Sequence, residues 1–342
     1  MPRDLSPAAP PTRLRRFGAG IAHRGFVVAG AYLAGRAVSA IAGRPRLVPQ
    51  LVEELRAIPD RLRQYGDQLG EITASVTGTY RGLTQLPGGP PADAVRIVWL
   101  SDVHNNPAAF AVARALAEQY PGCVVVDTGD IGDWGKAFEA RMYAGIGDIP
   151  APYVFIKGNH DGPQTLVALG KIPNVAILED AMTYRYEGLT FAGDSDPRFT
   201  PDKSTGDDHF GKERLTKVGQ MLAAKLASIK PDVVLVHDPV VAAQLSGTAP
   251  LVLCGHTHRR NAKKVGETLI LTQGSSGGLG LRGVRQDPPR PLTISVLHID
   301  RTTKRLHSMD ELTFGGLGAR TLSLVRRSAD ELGRPQTSLE KA

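Results

Sequence analysis

Five short apolar runs, each broken by Asp, Asn or His, constrain this chain more than anything else in it. Val95–Leu100 leads into Ser101-Asp102-Val103-His104, and Val124–Val126 into Asp127-Thr128-Gly129-Asp130. Val154–Lys157 leads into Gly158-Asn159-His160-Asp161, Val233–Val236 into His237-Asp238, and Val252–Cys254 into Gly255-His256-Thr257-His258. A short apolar run bounded by turn formers reads as a strand covered on both faces. In open α/β sheets, ligands bind beyond the carboxyl ends of such strands. One terminal His or Asp is ordinarily a satisfied turn residue; five such ends point to a shared site. The pooled side chains Asp102, His104, Asp130, Asn159, His237, His256 and His258 offer oxygen and imidazole donors and no thiolate, which suits Mn, Fe, Zn or Ni. Together they exceed one ion's usual need, whereas a carboxylate shared by two ions would use them all.

In chain order these residues spell Asp-x-His, Gly-Asp-x-x-Asp (Gly129 to Asp133), Gly-Asn-His-Asp, a lone His after a strand, and Gly-His-x-His. That series resembles the calcineurin-like metallophosphoesterase superfamily over residues 95–325, with no core motif missing. One such motif is weak; five in order at domain-scale spacing are specific. The resemblance implies an α/β fold, a four-layer αββα sandwich of two mixed sheets, preceded here by a basic helical N-terminal arm. Strand-helix alternation alone is equally compatible with a single doubly wound sheet. The resemblance further implies that Asp102, His104 and His258 hold one metal, that Asn159, His237 and His256 hold a second, and that Asp130 bridges them. By the same resemblance His160 stabilises the transition state or protonates the leaving oxygen, and Asp161 orients it and raises its pKa. Asp133 is expected to support the metal ligands by hydrogen bonding. Arg259 and Arg260 follow the last ligand and are candidates for holding phosphate.

The net charge of +7 resembles a nucleic-acid signal until it is located. Arg13, Arg15, Arg16, Arg24, Arg36, Arg44 and Arg46 lie in a stretch, residues 5–52, that has no acid, so the arm carries the whole excess. No nucleic-acid partner is therefore supported. Phe17–Gly43 is apolar and helix-compatible, but its longest charge-free run, Gly25–Gly35, is shorter than the roughly 20 residues a bilayer span needs. Residues 13–46 are read first as attached to a membrane surface, which would make the protein cytoplasmic or peripheral. A signal peptide, a transit peptide and a helix docked on the protein's own body stay open. From Leu51 to Val76 apolar positions step alternately by 4 and 3, a heptad seam that could pair with its own copy or lie against the catalytic domain. Leu86-Pro87-Gly88-Gly89-Pro90-Pro91 then reads as a linker. The expected division is an arm and linker over 1–92, a catalytic domain over 93–326 and a polar tail over 327–342.

Within the domain, Pro107–Tyr120 and Glu213–Ile229 have helical composition and period, and a further helix is expected to begin over Trp134–Tyr143. Thr293–Leu312 and Thr321–Val325 read as strands completing a second sheet. Gly193–Lys212 is polar and aperiodic, and if it covers the metal site, Arg198, Lys203 and His209 are its residues for an anionic substrate. Cys123 and Cys254 read as buried fillers, and His23, His298 and His307 as ordinary structural or surface residues. Gly278–Gly283 matches Gly-x-Gly-x-x-Gly and Gly274–Gly278 matches Gly-x-Ser-x-Gly, but both motifs require a following helix, and Val284-Arg285-Gln286-Asp287-Pro288-Pro289 cannot start one. Three functions therefore compete: a two-metal hydrolase of phosphomonoesters or diesters, a non-catalytic metal-binding scaffold, and a serine hydrolase on Ser276. Because a scaffold has no use for His160 beside a complete ligand set, the first is preferred.

Overall fold

The computed structural model of the chain describes residues 89–200, 211–278, 291–315 and 322–334. The basic arm, the seam over residues 51–76, the first half of the Pro/Gly linker, Lys203, His209 and residues 279–283 lie outside them.

Strand β1 (Val95–Leu100) shows why the chain forms layers. All but Arg96 of its residues are buried, and successive side chains point to opposite faces. Ile97 and Trp99 enter one apolar cluster with Val124, Val126, Val154, Leu235, Leu253 and Leu271, whereas Val98 and Leu100 enter another with Phe110, Leu116, Val125 and Phe155. A strand apolar on both faces needs a cover on both, here a second sheet on one side and helices on the other. The inter-sheet cluster holds Trp99 and Phe191, each worth about 1.5–3 kcal/mol when fully withdrawn from water.

The first sheet runs β13-β12-β11-β1-β2-β3-β4, with β2 (Val124–Asp127), β3 (Tyr153–Phe155) and β4 (Val175–Ile177) parallel to β1. Its outer face is covered by α1 (Ala108–Gln119), α2 (Pro163–Leu169) and 3-10 turns over Ala137–Asp148. The second sheet runs β5-β6-β7-β8-β10-β9, built from β5 (Met182–Tyr186), β6 (Leu189–Gly193), β7 (Val233–Leu235), β8 (Leu251–Cys254), β9 (Asn261–Val265) and β10 (Thr268–Thr272). Its outer face is covered by α3 (Lys212–Ile229) and the short α4 (Pro239–Ala242), through Leu215, Leu222, Leu226 and Val241 against Val234, Val236 and Val252. This is the expected four-layer sandwich of two mixed sheets. No helix among the described residues is long and apolar enough to cross a membrane.

Three expectations are corrected. The C-terminal strands β11 (Leu292–Ile299), β12 (Leu306–Phe314) and β13 (Leu322–Ser328) do not complete the second sheet; β11 pairs antiparallel with β1 and extends the first. Edge hydrogen bonds of β1 on the side away from β2 would otherwise go unmade. The helix expected over Trp134–Tyr143 is replaced by 3-10 turns starting at Ala137, because the Glu139 carboxylate draws the backbone N–H groups of Asp133, Trp134 and Lys136 onto itself. The polar tail starts later than residue 327, since β13 continues to Ser328 and a turn of helix over Ala329–Leu332 buries Leu332. The hairpins β5–β6 and β9–β10 were not anticipated either. Both carry a turn signal, Glu187-Gly188 and Gly266-Glu267, whose left-handed residues Glu187, Gly188 and Gly266 suit tight two-residue connections.

Candidate metal centre

Loops after β1, β2, β3, β7 and β8 meet at the carboxyl end of both sheets, and their crossing is drawn tight by backbone hydrogen bonds. Asp102 N–H donates to Gly129 O at 2.8 Å, His104 N–H to Asp130 O at 3.0 Å and Gly255 N–H to His237 O at 2.9 Å. Asp102, His104, Asn105, Asp130, His256 and His258 all take left-handed backbone conformations, with φ between 49° and 71°. Each costs on the order of 1–3 kcal/mol and persists only where the surroundings over-determine it. Two glycines let the loops touch: a Cβ at Gly158 would overlap Asp130, and one at Gly255 would overlap Ser101 Oγ and Asp102 Oδ2.

Two groups of donors result. Asp102, His104 and His258 form one, Asp130, His237 and His256 the other, the donor atoms of each group lying within 4.8 Å of one another. In the first, His258 Nε2 lies 3.1 Å from both Asp102 Oδ1 and His104 Nε2. In the second, His237 Nε2 lies 3.2 Å from Asp130 Oδ2, and Asn159 Oδ1 sits 3.1 Å from His237 Nε2 and 3.0 Å from His256 Nδ1. The far sides of the rings are anchored. His237 Nδ1 donates to Thr128 O at 2.7 Å and His104 Nδ1 to Asp133 Oδ1 at 3.1 Å, which leaves each Nε2 as the ring nitrogen that faces inward.

This arrangement fits a divalent cation by its own geometry. Asp102 Oδ1 is buried and has no hydrogen-bond partner of good geometry, although His258 Nε2 lies 3.1 Å away. Two imidazole nitrogens meet at 3.1 Å where at most one proton can lie between them. Buried polar atoms without partners are rare unless an ion or water satisfies them.

The electrostatics run the same way. Burial pushes the Asp130 carboxyl up, but His237 more than offsets it and holds the group well below its ordinary range. Burial likewise opposes charge on His104, yet the Asp133 hydrogen bond and the surrounding carboxylates raise its pKa to about 9. Burial opposes charge on His237 too, but Asp130 raises it well above its ordinary value. Carboxylates that hold protons on the facing imidazoles would hold a cation in their place.

Every expected ligand residue is thus brought to one place, and Asp133 contacts His104 as anticipated. Three other expectations are corrected. Asp161 does not meet the His160 ring; its buried carboxylate accepts the backbone N–H groups of Asp130, Gly132 and Gly158, so it shapes the loop crossing instead. His160 is oriented by the Asp133 carbonyl, which accepts its Nδ1–H at 3.0 Å, and by its own N–H donated to Asp130 Oδ1 at 2.8 Å. Arg198 is not presented to a substrate, because it is buried and its guanidinium is engaged by Asp196 and Asp238, each at 2.7 Å. Arg260 turns away from the site to reach Thr313 Oγ1 and the carbonyls of Ile294 and Leu312. Of the three arginine candidates, Arg259 stays exposed. Ser276 is no nucleophile: it is buried, accepts Ser101 N–H at 3.1 Å and donates to Thr293 O at 2.8 Å. Sequence reasoning missed Asn105, Glu139 and Thr200, which carry no motif and are recruited by folding alone.

A four-layer α/β sandwich with paired Asp/His/Asn clusters at the strand ends defines a metallophosphoesterase-type scaffold. The chain belongs to the calcineurin-like phosphoesterase superfamily, whose domain model matches residues 95–302. Among solved structures, a novel archaeal phosphodiesterase is 17% identical, with 64% of this chain and 100% of that one covered at a TM-score of 0.39. A Thermus thermophilus protein is 14% identical, with coverage of 66% and 99% and a TM-score of 0.45. Vps29 from Entamoeba histolytica, complexed with zinc, is 15% identical, with coverage of 68% and 99% and a TM-score of 0.35. No curated protein sequence matches the chain.

Proposed function

We propose that this protein hydrolyses phosphomonoester or phosphodiester bonds with two divalent metal ions, drawn from Mn, Fe, Zn or Ni. The observation that carries this reading is the meeting of the two donor groups, one of which contains a buried carboxylate oxygen without a hydrogen-bond partner of good geometry. Asp102, His104 and His258 would hold one ion, Asn159, His237 and His256 the other, with Asp130 shared. Bound divalent ions would activate water and neutralise charge on the phosphoryl oxygens.

The chain's own residues then have separable tasks. His160 spends its Nδ1–H on the Asp133 carbonyl, so Nε2 is the atom left to carry a proton to a leaving oxygen or to meet a phosphoryl oxygen. Arg259, exposed directly after the last ligand, would be the cation that engages a phosphate. Asp161 keeps the left-handed Asp130 backbone in place, and Asp133 holds the His104 ring with Nε2 inward.

The test is turnover of a chromogenic phosphodiester and its monoester counterpart before chelation, after it, and after restoring each metal. Asp130→Asn should reduce metal-restored turnover by at least about a hundredfold while leaving the circular dichroism of the fold unchanged. Full activity in the metal-stripped protein would exclude this mechanism.

A further inference from the structure

The segment Asp196–Thr200, part of the polar stretch Gly193–Lys212 whose Arg198 was a candidate for an anionic substrate, is instead fastened to the loop that carries Asn159. Thr200 N–H donates to Asn159 O at 2.7 Å, and Asn159 Nδ2 donates to Thr200 Oγ1 at 2.6 Å. The same residue therefore grips both the backbone and the amide of Asn159. An asparagine amide has a donor end and an acceptor end of nearly the same shape, so its partners decide which end faces where. With Nδ2 taken by Thr200, Oδ1 is the end that reaches the His237 and His256 ring nitrogens. Only that end can bind a cation.

Thr200 is in turn held by the segment before it. Asp196 N–H donates to Lys157 O at 2.7 Å, and Lys157 Nζ reaches back to the carbonyls of Asp196 and Arg198. Arg198 spans Asp196 and Asp238, the latter adjoining His237 in sequence, and all three are buried. Phe199 packs on Gly135 and Gly162, where a Cβ at either position would collide with its ring. The strap is thus attached to the β3 loop, the β7 loop and the turn after Asp133.

We propose that Thr200 is a positioning residue that fixes the Asn159 amide with its oxygen toward the His237–His256 pair, and that Asp196–Thr200 is the strap that holds Thr200 in place. The inference rests on the metal-dependent reading above. Without the hydroxyl, the amide loses its Nδ2 acceptor and with it the contact that favours this orientation in the absence of metal. Outer partners of metal ligands typically contribute about 10–100-fold in affinity.

The experiment is calorimetric titration of Mn²⁺ into metal-depleted full-length protein, comparing the wild type with Thr200→Val and Thr200→Ser. The expected result is two sites in the wild type. In Thr200→Val one of them should be weakened about 10–100-fold with the other unchanged, and Thr200→Ser should restore it. Should the valine variant fail to fold, Thr200→Ala adds no bulk at this half-buried position and carries the same expectation. Equal affinities at both sites in wild type and variant would overturn the proposal while leaving the metal reading intact. A loss in Thr200→Ser as large as in Thr200→Val would also overturn it, because the hydroxyl would then not be the operative group. A wild type that takes up neither Mn²⁺ nor, in parallel titrations, Fe²⁺, Zn²⁺ or Ni²⁺ would remove both this inference and the reading beneath it.

Discussion

Asp127 closes β2 and is fully buried without a cation beside it, which makes it a direct test of the electrostatics argued here. Burial pushes its carboxyl up to about 7, against the hydrogen bonds from Tyr153 OH at 2.6 Å and Gly129 N–H at 3.0 Å. In the unfolded chain the group titrates near its ordinary value of 3.8. Between those two values the native state holds a proton that the unfolded state has lost. Unfolding therefore releases a proton, and stability falls as pH rises. The contribution is fully present below about pH 4 and is gone above about pH 7. The shift of about three pK units corresponds to at most about 4 kcal/mol, with a slope near 1.4 kcal/mol per pH unit in mid-window. Asp127→Asn removes the proton and keeps the shape. Urea unfolding of metal-depleted wild type and variant at pH 4.5, 5.5, 6.5 and 7.5 should show the variant gaining on the wild type by about 1.4 kcal/mol for each pH unit across the middle of the window. Parallel curves for the two proteins would mean that Asp127 is ionised in the native state, and the account of its burial would be wrong.

His160→Gln should lower kcat by about 10²–10⁴-fold, the usual worth of a positioned acid, with both Mn²⁺ affinities unchanged in calorimetry. A loss confined to metal affinity would reassign it to ligand support. Ser276→Ala should retain turnover and reduce unfolding free energy by about 1–3 kcal/mol, since it leaves the buried Ser101 N–H without its acceptor. Abolished activity with intact metal binding would revive a nucleophilic serine.

How far the site could be read in advance differs residue by residue. Asp102, His104, Asp130, Asn159, His237, His256 and His258 were visible because each ends an apolar run, whereas the meeting of the β1–β3 ends in one sheet with the β7 and β8 ends in the other is set by the packing of the two sheets. Arg198 and Arg260 misled for one reason: a cation near a motif looks available until its partners are known. Asp238, which joins the near neighbour Asp196 on Arg198, lies 40 residues away in sequence, and the β11 and β12 carbonyls that hold Arg260 lie 34 and 52 residues away. Asp161 was given the wrong partner because adjacency to His160 in sequence says nothing about which way a carboxylate turns when the β2 loop offers it three backbone N–H groups.

The amino-acid sequence by itself determined that strands must be covered on both faces, that their polar ends carry hard-metal donors, and that the positive charge belongs to the arm. Those properties follow from local pattern and composition, which survive any arrangement of the strands. Only the tertiary structure decided that β11 joins β1, that Asn159 presents its oxygen because Thr200 takes its nitrogen, and that two carboxylates bury Arg198. Each of these is a pairing between distant segments, and pairing is settled by which groups would be left without partners once the layers close.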